Sequence, residues 1–356
     1  HDRGNGRLLW ARGVKPEGIE DFHRSDGSPA ASTPATDGKR VVSYFGSFGL
    51  ICHDMDGNEQ WRYPMSVALS GGQYGSGTSP IIVGRRVVLN RDQDRLSSLL
   101  AVDVETGEKL WETPRPESSG SFGTPVHWVN EGTDEIVVAG FGRLKGYDLL
   151  SGRERWSIGG ITGFVCTTPV IGDGLLYFAA FSNAHPASPL PKWKDFVKKA
   201  DKDGDGEVAL DEIGVETRDY YRGLDKNRDG KFTEEDWKLR EAAVVGMENL
   251  MVAVKPGGEG DITSTHVAWE FRKGLPYVPS PLFYDGRVYL IRDGGLMTSI
   301  DAESGEAEYE RERLDTRGDY YASPVAANGG IYLASLSGQL TVVKAGGSEP
   351  EILHLS

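Results

Sequence analysis

The chain has 356 residues, enough to bury a large core as two average domains or as one large repeat fold. Its formal net charge of −14 argues against nucleic acid as a partner, and no apolar run approaches the roughly 18 residues of a membrane-spanning helix. The 47 glycines and the aromatic content of 10% are typical of many short strands joined by glycine turns.

A recurring Ser/Thr-Pro pair divides the chain into units. Its prolines follow one another at intervals of 43 to 46 residues, apart from a single interval of 112 residues. A period near 45 residues, with about four short strands in each unit, is typical of a β-propeller blade. The six pairs are Thr33-Pro34, Ser79-Pro80, Thr124-Pro125, Thr168-Pro169, Ser280-Pro281 and Ser323-Pro324.

Each unit closes on an Asp, a Gly and a Trp. The Asp and Gly predict a turn between two strands, and the Trp predicts a large side chain that fills the space between neighbouring sheets. In the fifth unit Tyr309 takes the place of the Trp, and in the fourth Lys255 takes the place of the Asp. The clearest examples are Asp54 to Trp61, Asp103 to Trp111 and Asp148 to Trp156.

The first ten residues fit the same closing pattern. Asp2, Gly6 and Trp10 predict the last turn and outer strand of a seventh blade. The inner strands of that blade are either supplied by the C-terminus or lost by trimming at both ends, and we favour trimming.

The long proline interval contains two acidic loops. Residues 201–212 read Asp-x-Asp-x-Asp-Gly-x5-Glu, the spacing of an EF-hand calcium loop, in which three carboxylates converge and the final glutamate closes the shell. A merely acidic turn is the alternative. The expected ligands are the side chains of Asp201, Asp203, Asp205 and Glu212, the carbonyl of Glu207, and a water at the ninth position.

The second loop spans residues 225–236 and has the same spacing. Its last ligand position holds Asp rather than Glu, and the shorter side chain predicts weaker calcium binding or a preference for magnesium. The expected ligands are the side chains of Asp225, Asn227, Asp229 and Asp236, and the carbonyl of Lys231.

Helices flank the two loops. Apolar residues at 193, 196, 197 and 200 predict an incoming helix, a short helix over 212–224 connects the loops, and an outgoing helix runs from residue 233 to about 245. The insertion leaves the fourth blade after a strand over 175–181 and returns at a strand over 249–254. Since both of its ends are tied into one blade, we expect a rigid structural calcium module rather than a sensor.

The complete pattern predicts an all-β fold: a β-propeller of six to seven four-stranded blades, with a small α-helical EF-hand pair inserted in one blade. A solenoid of stacked sheets is the alternative. The predicted boundaries are 1–183 for the first part of the propeller, 184–247 for the EF-hand pair and 248–356 for the second part.

The stretch from Ala101 to Trp111 reads Ala-x-Asp-x-x-Thr-Gly-x-x-x-Trp and resembles the tryptophan motif of PQQ-type propellers. That group includes quinoprotein dehydrogenases and non-catalytic proteins with PQQ-like repeats. The stretches 260–263, 267–269 and 276–281 resemble a bacterial subset of the non-catalytic relatives. The resemblance covers nearly the whole chain outside the insertion, and it implies export to the periplasm or the extracellular space.

Aromatic residues precede the Ser/Thr-Pro pairs, where one blade connects to the next. They predict a ring at the mouth of the channel that receives a planar or sugar-like ligand, and the alternative is that they pack between blades. The aromatic residues are Tyr74, Phe122, Phe164, Tyr277, Tyr320 and Tyr321, with Gln73, Arg317 and Asp319 beside them.

These observations predict a non-catalytic, calcium-binding propeller that acts as a binding or scaffold module for protein partners or a small polar ligand. A PQQ-dependent alcohol or sugar dehydrogenase, or the recognition domain of a longer enzyme, is the alternative. Those dehydrogenases usually carry a vicinal cysteine pair, whereas Cys52 and Cys166 are far apart and are expected to be free thiols. No catalytic residue is assigned.

Overall fold

The computed structural model consists almost entirely of short strands. In the described residues two helices occur, an incoming helix over Trp193–Ala200 and an outgoing helix over Glu234–Val244. Neither of them has the length and apolar character needed to cross a membrane. The described residues are 1–23, 27–69, 74–93, 96–118, 120–163, 165–182, 191–214, 225, 229–244, 246–316 and 318–356.

Residues 1–125 together with 194–237 form one compact unit. It contains two four-stranded antiparallel sheets, each made of strands that follow one another along the chain, and one two-stranded ribbon. Sheet 1 comprises Ala35–Thr36, Arg40–Phe45, Gly49–Asp54 and Glu59–Pro64; sheet 2 comprises Ile81–Val83, Arg86–Arg91, Ser98–Asp103 and Lys109–Pro114; the ribbon comprises Val208–Ala209 and Lys231–Phe232.

Residues 126–193 together with 238–356 form the other unit, which contains four such sheets. The short strand Gly260–Asp261 extends sheet 3 by pairing in parallel with its last strand. Sheet 3 comprises Val126–Asn130, Thr133–Ala139, Leu144–Asp148 and Glu154–Ile158; sheet 4 Val170–Gly172, Leu175–Ala180, Leu250–Val254 and Val267–Phe271; sheet 5 Leu282–Tyr284, Arg287–Arg292, Leu296–Asp301 and Ala307–Arg313; sheet 6 Val325–Ala327, Gly330–Ala334, Leu340–Lys344 and Ile352–Leu355.

The two middle strands of a sheet carry most of its core. In sheet 2 every residue of Ser98–Asp103 is buried, whereas in the outer strand of sheet 1, Glu59–Pro64, Trp61 is the one buried residue. A strand covered on both faces needs a continuous apolar run, and an outer strand at the rim needs only one large anchor. Cys52 lies in the core shared by sheets 1 and 2, and neither it nor Cys166 forms a disulfide. Burial raises the pKa of both thiols to about 11.

Tryptophan side chains join one sheet to the next, as the repeat predicts. The indole Nε1 of Trp61 donates to the carbonyl of Val104 at 2.9 Å, and its ring lies against Gly107 in sheet 2. Trp269 makes the same contacts from sheet 4 to sheet 5, with the Ala302 carbonyl at 3.0 Å and its ring against Gly305.

The aspartates that open these turns hold the turn backbone. The Oδ1 of Asp103 accepts the amides of Glu105 at 2.8 Å and Thr106 at 3.1 Å, and Asp301 accepts the amide of Ser304 at 2.8 Å. At Asp103, burial opposes ionisation, but the two amides and the Arg85 guanidinium together lower its pKa. The predicted role of this aspartate as a turn residue is confirmed by these bonds.

Trp156, which closes sheet 3, departs from the pattern. Its Nε1 donates to Glu135 Oε2 at 2.8 Å within its own sheet, and Asn130 donates to the same oxygen at 2.9 Å. The Arg155 Nε lies 3.0 Å from Glu135 Oε1. The unit after sheet 3 is the one with Lys255 at the Asp position, so the usual turn is missing there and a buried carboxylate accepts the indole hydrogen instead.

The N-terminal segment keeps the predicted turn but not the predicted strand. Asp2 Oδ1 accepts the amide of Gly4 at 2.9 Å, and Trp10 donates to the carbonyl of Met55 at 2.9 Å with its ring against Gly57. Residues 7–11 nevertheless form no strand, because no described strand pairs with them. The tryptophan contact is therefore independent of strand pairing.

The insertion connects two neighbouring strands of sheet 4. Leu175–Ala180 pairs with Leu250–Val254, so the chain returns beside the strand it left, as predicted. At the base of the insertion, Asn249 accepts the amide of Ser182 at 2.9 Å and donates to its carbonyl at 3.1 Å. The boundaries 1–183, 184–247 and 248–356 stay a prediction.

Candidate metal centre

The first acidic loop is wrapped around Asp201. Its Oδ1 accepts the amide of Gly204 at 2.6 Å, and its Oδ2 accepts the amide of Gly206 at 3.0 Å. Gly206 has a φ of 87°, in the left-handed region that glycine adopts most easily, which lets the chain reverse here. The loop backbone therefore curls around its first carboxylate.

Three carboxylates converge in this loop. One oxygen from each of Asp201, Asp203 and Asp205 lies within 4.8 Å of the other two. Asp203 Oδ1 accepts the amide of Asp205 at 3.1 Å, and Asp205 Oδ1 accepts the amide of Glu207 at 2.8 Å. Three carboxylates at this separation repel one another, and a hard divalent cation with oxygen ligands would relieve that repulsion.

Glu212 lies outside the group of three aspartates but folds back over the start of the loop. Its Oε1 accepts the amides of Lys202 at 2.7 Å and Asp203 at 3.2 Å, and its Oε2 accepts the amide of Ala209 at 2.7 Å. The Lys202 amide is the main cause that lowers the pKa of Glu212, followed by the Ala209 amide. The carboxylate is thus ionised and close to the loop that it is predicted to close.

In the second loop Asp225 occupies a buried position. Its Oδ2 accepts the amide of Gly230 at 3.1 Å, whereas Oδ1 has no hydrogen-bond partner among the described residues. The residue is fully buried. A buried carboxylate oxygen without a donor costs on the order of 1–3 kcal/mol, and a bound cation would remove that cost.

The other predicted ligands of the second loop differ in their surroundings. Asp229 Oδ1 accepts the amide of Lys231 at 2.9 Å. Asp236 Oδ2 accepts the amide of Thr233 at 3.0 Å, while the Thr233 hydroxyl accepts the amide of Asp236 at 3.3 Å. This reciprocal pair caps the outgoing helix. Asn227 lies outside the described residues.

A short two-stranded ribbon, which the sequence did not predict, joins the two loops. Val208 pairs with Phe232 and Ala209 with Lys231, and the Leu210 amide donates to the Gly230 carbonyl at 2.9 Å. The available signal was the apolar residue at position eight of each loop, Val208 and Phe232, both of which are fully buried. The ribbon holds the two loops side by side.

An aromatic cluster lies beneath the ribbon. The rings of Phe196 and Trp237 stack with centroids 4.3 Å apart, and Phe196 meets Phe232 edge to face at 6.5 Å. The incoming helix buries Phe196 as predicted, while Trp193, Val197 and Ala200 are half-buried. Residues 212–214 of the predicted helix over 212–224 are not helical, and its remainder lies outside the described residues.

The side chain of Lys231 crosses from the second loop to the first. Its Nζ lies 2.6 Å from Glu207 Oε2 and 3.3 Å from Asp205 Oδ2. The hydrogen bond with Glu207 is the main cause that raises the pKa of Lys231, and the bond with Asp205 adds to it. Sequence reasoning assigned only the carbonyl of Lys231 and missed this contact, since the two loops are adjacent only in the folded chain.

The predicted aromatic ring has mixed surroundings. Tyr74 is 51% exposed and meets Phe122 edge to face at 6.3 Å, whereas Tyr320 is buried and donates to the Thr316 hydroxyl at 2.7 Å. Tyr321 is 37% exposed, and Tyr277 is half-buried. Gln73, Phe164 and Arg317 lie outside the described residues. The buried Tyr320 therefore packs as a core residue, and Tyr74 and Tyr321 remain accessible.

A small cavity lies in the first unit. Its volume is about 10 Å³, room for roughly one water molecule, and its walls include Tyr44, Ser76, Arg91 and Asp92. Asp92 is held by a fully buried pair with Arg115 at 2.8 Å. The cavity is too small for a sugar or a quinone.

Successive four-stranded antiparallel sheets joined by docked tryptophans define a repeat protein of the β-propeller class. The family model PQQ_2, described as "Outer membrane protein assembly factor BamB", matches residues 1–195, more than half of the chain. The chain therefore belongs to this family, which confirms the predicted resemblance to PQQ-type propellers.

One curated relative and two of the solved structures similar to the chain are compared with it by identity and coverage. The outer membrane protein assembly factor BamB of Alkalilimnicola ehrlichii is 35% identical over 95 residues, which cover 24% of this chain and 24% of that protein. The match thus spans about a quarter of the length of this relative.

The crystal structure of BamB from Moraxella catarrhalis has a TM-score of 0.57 at 14% identity and covers 92% of this chain and 76% of that chain. The C-terminal WD40 domain of Sif2 has a TM-score of 0.50 at 12% identity, with coverages of 88% and 66%. WD40 repeats form β-propellers. At these identities both structures show the fold alone, and they support the propeller prediction.

Proposed function

We propose that the chain is a non-catalytic binding or scaffold module, a PQQ-like β-propeller of six to seven blades that carries a calcium-binding EF-hand pair. The observation that carries the scaffold role is the family match over residues 1–195. Each of the six four-stranded sheets would be one blade. The repeated aspartates, such as Asp103 and Asp301, hold turns, which supports a structural role for them rather than one as general bases.

The proposed partners are proteins, and the proposed location is the periplasm or the extracellular space. The relative from Alkalilimnicola ehrlichii is named an outer membrane protein assembly factor, and the same kind of work is proposed here for this chain. A net charge of −14 disfavours nucleic acid. A small polar or sugar-like ligand at exposed Tyr74 or Tyr321 is the secondary proposal for binding.

A genetic experiment tests the scaffold role. Removing the gene from its host should lower the amounts of correctly assembled outer-membrane proteins, and a plasmid copy should restore them. Unchanged amounts in the deletion strain would contradict the role.

Mixing the purified protein with PQQ and calcium should produce neither quinone absorbance in the protein fraction nor dye reduction with an alcohol. Activity in that assay would instead establish the dehydrogenase.

Calcium is proposed as a structural ion held by both loops. Side chains of Asp201, Asp203 and Asp205 supply the first site, and buried Asp225 with Asp229 supplies the second. The carbonyls of residues 207 and 231 and the side chains at 212, 227 and 236 complete the proposed shells. The orphaned Oδ1 of Asp225 is the observation that carries this part of the proposal.

Scanning calorimetry tests the calcium sites. A ligand present at 100 times its dissociation constant stabilises the folded state by about 2.7 kcal/mol. We therefore expect the melting temperature to rise by several degrees between chelator-treated and calcium-loaded protein. An Asp201→Asn, Asp203→Asn double variant should show a smaller rise. Identical melting temperatures with and without calcium would contradict the proposal.

A further inference from the structure

Lys231 brings a positive charge from one proposed calcium loop into the other. Its backbone lies in the ribbon, paired with Ala209, and its carbonyl is a proposed ligand of the second loop. Its ammonium group instead contacts the first loop, 2.6 Å from Glu207 Oε2 and 3.3 Å from Asp205 Oδ2. Calcium binding by the first loop and the ion pair with Lys231 would therefore use the same carboxylate, that of Asp205.

Asp205 is the residue for which a bound calcium ion and the Lys231 ammonium would compete. It belongs to the three aspartates whose oxygens lie within 4.8 Å of one another. In the structure its Oδ1 accepts the Glu207 amide at 2.8 Å and its Oδ2 accepts the Lys231 ammonium at 3.3 Å. A divalent cation among the three carboxylates would thus share a ligand with a fixed monovalent cation and would be repelled by it.

We infer that the Lys231 side chain weakens calcium binding by the first loop and so sets the calcium concentration at which that loop fills. The inference rests on the proposed calcium function of the loops. It adds a determinant of affinity that lies outside the twelve residues of the first loop and comes from the neighbouring loop through the ribbon. The Lys231 side chain points away from the second loop, so calcium binding by that loop should be affected less.

The test removes the charge and follows each loop separately. Gly206 and Gly230 occupy the same position in the two loops, and each donates its amide to the first aspartate of its loop, at 3.0 Å and 3.1 Å. Calcium titration of ¹⁵N-labelled protein, with the two glycine amides as reporters, therefore yields one midpoint for each loop. In Lys231→Met the Gly206 midpoint should move to roughly three- to tenfold lower calcium, since the removed ammonium is exposed and screened by solvent.

Three controls separate a charge effect from a structural one. Lys231→Arg keeps the charge and should keep the wild-type midpoint at Gly206. Lys194→Met removes an exposed lysine of the incoming helix and should leave both midpoints unchanged. In 0.5 M salt the difference between Lys231→Met and the wild type should shrink, because screening weakens the repulsion.

The possible results distinguish the role of Lys231 from the calcium sites on which that role depends. Equal Gly206 midpoints in the wild type and Lys231→Met, with calcium still shifting both amides, would overturn the role of Lys231 and leave the calcium sites standing. A larger shift at Gly230 than at Gly206 would also overturn it. If calcium moves neither amide of the wild type at millimolar concentration, the calcium sites themselves are wrong and the inference falls with them.

Discussion

At the scale of single residues, the fold depends on pairs formed by an indole ring and a glycine. Trp61 and Gly107 belong to different sheets, and the ring occupies the space where any Cβ at position 107 would be. Gly107 also has a φ of 72°. Glycine is thus required there for two separate reasons, the turn conformation and the close approach of the indole.

Replacing Gly107 by Ala tests this pairing. A Cβ at 107 would lie 2.7 Å from the Trp61 ring, and the backbone is left-handed, so the free energy of unfolding should fall by roughly 2–4 kcal/mol. Gly84→Ala is the matched control. Gly84 has a φ of 56° but no atom within 4 Å of its would-be Cβ, so only about 1 kcal/mol of backbone strain is expected. Urea denaturation measures both values, and equal losses would show that the ring contact contributes nothing.

At the scale of the elements, sheet 3 has a buried polar group in place of the tryptophan contact that sheets 1 and 4 make. Glu135 accepts hydrogen bonds from Trp156 and Asn130 and lies beside Arg155. A carboxylate is stable in a protein interior only if hydrogen-bond donors and a positive charge surround it. Trp156 and Asn130 supply the donors, and Arg155 supplies the positive charge. The sequence signalled the exception only through Lys255 at the usual Asp position.

Glu135→Gln should destabilise this sheet. The amide group that replaces Oε1 would face the Arg155 guanidinium, donor against donor, and the free energy of unfolding should fall by roughly 1–3 kcal/mol. Glu351→Gln is the control, since Glu351 pairs with Lys344 at 2.7 Å and both side chains are more than half exposed. Such a pair contributes at most about 1 kcal/mol. Chemical denaturation followed by near-ultraviolet circular dichroism measures the free energy of unfolding of both variants. An unchanged value in Glu135→Gln would refute the role of the network.

At the scale of the whole molecule, the repeated turn aspartates link stability to pH. The side-chain bond with Asn58 is the main cause that lowers the pKa of Asp54, and the side chain of Ser151 does so at Asp148. At Asp301 the amide of Ser304 is the main cause of the lowered pKa. Because such turns recur at Asp54, Asp148 and Asp301, small effects act together in the same direction.

The sign of this pH dependence follows from the direction of the shifts. A carboxyl whose pKa is lower in the folded chain binds fewer protons there, so its contribution is complete above the ordinary value of 3.8 and is lost as the pH falls below it. In calcium-free buffer we expect the melting temperature to fall steeply between about pH 4 and pH 2.5. Asp301→Asn should show a shallower fall. A melting temperature independent of pH in this range would contradict the argument.

The sequence by itself determined the period of the repeat, the turns that close each unit, the position of the insertion and the spacing of both acidic loops. The turns and the acidic loops are local, since each depends on residues a few positions apart, such as Asp103 and Gly107 or Asp201 and Gly206. The period and the insertion follow from the spacing of such local motifs along the chain. Only the tertiary structure decided that Trp156 bonds to Glu135, that Val208 pairs with Phe232 and that Lys231 contacts Asp205. Each of these contacts joins residues about 20 or more positions apart, and the burial that selects them does not exist until the chain has folded.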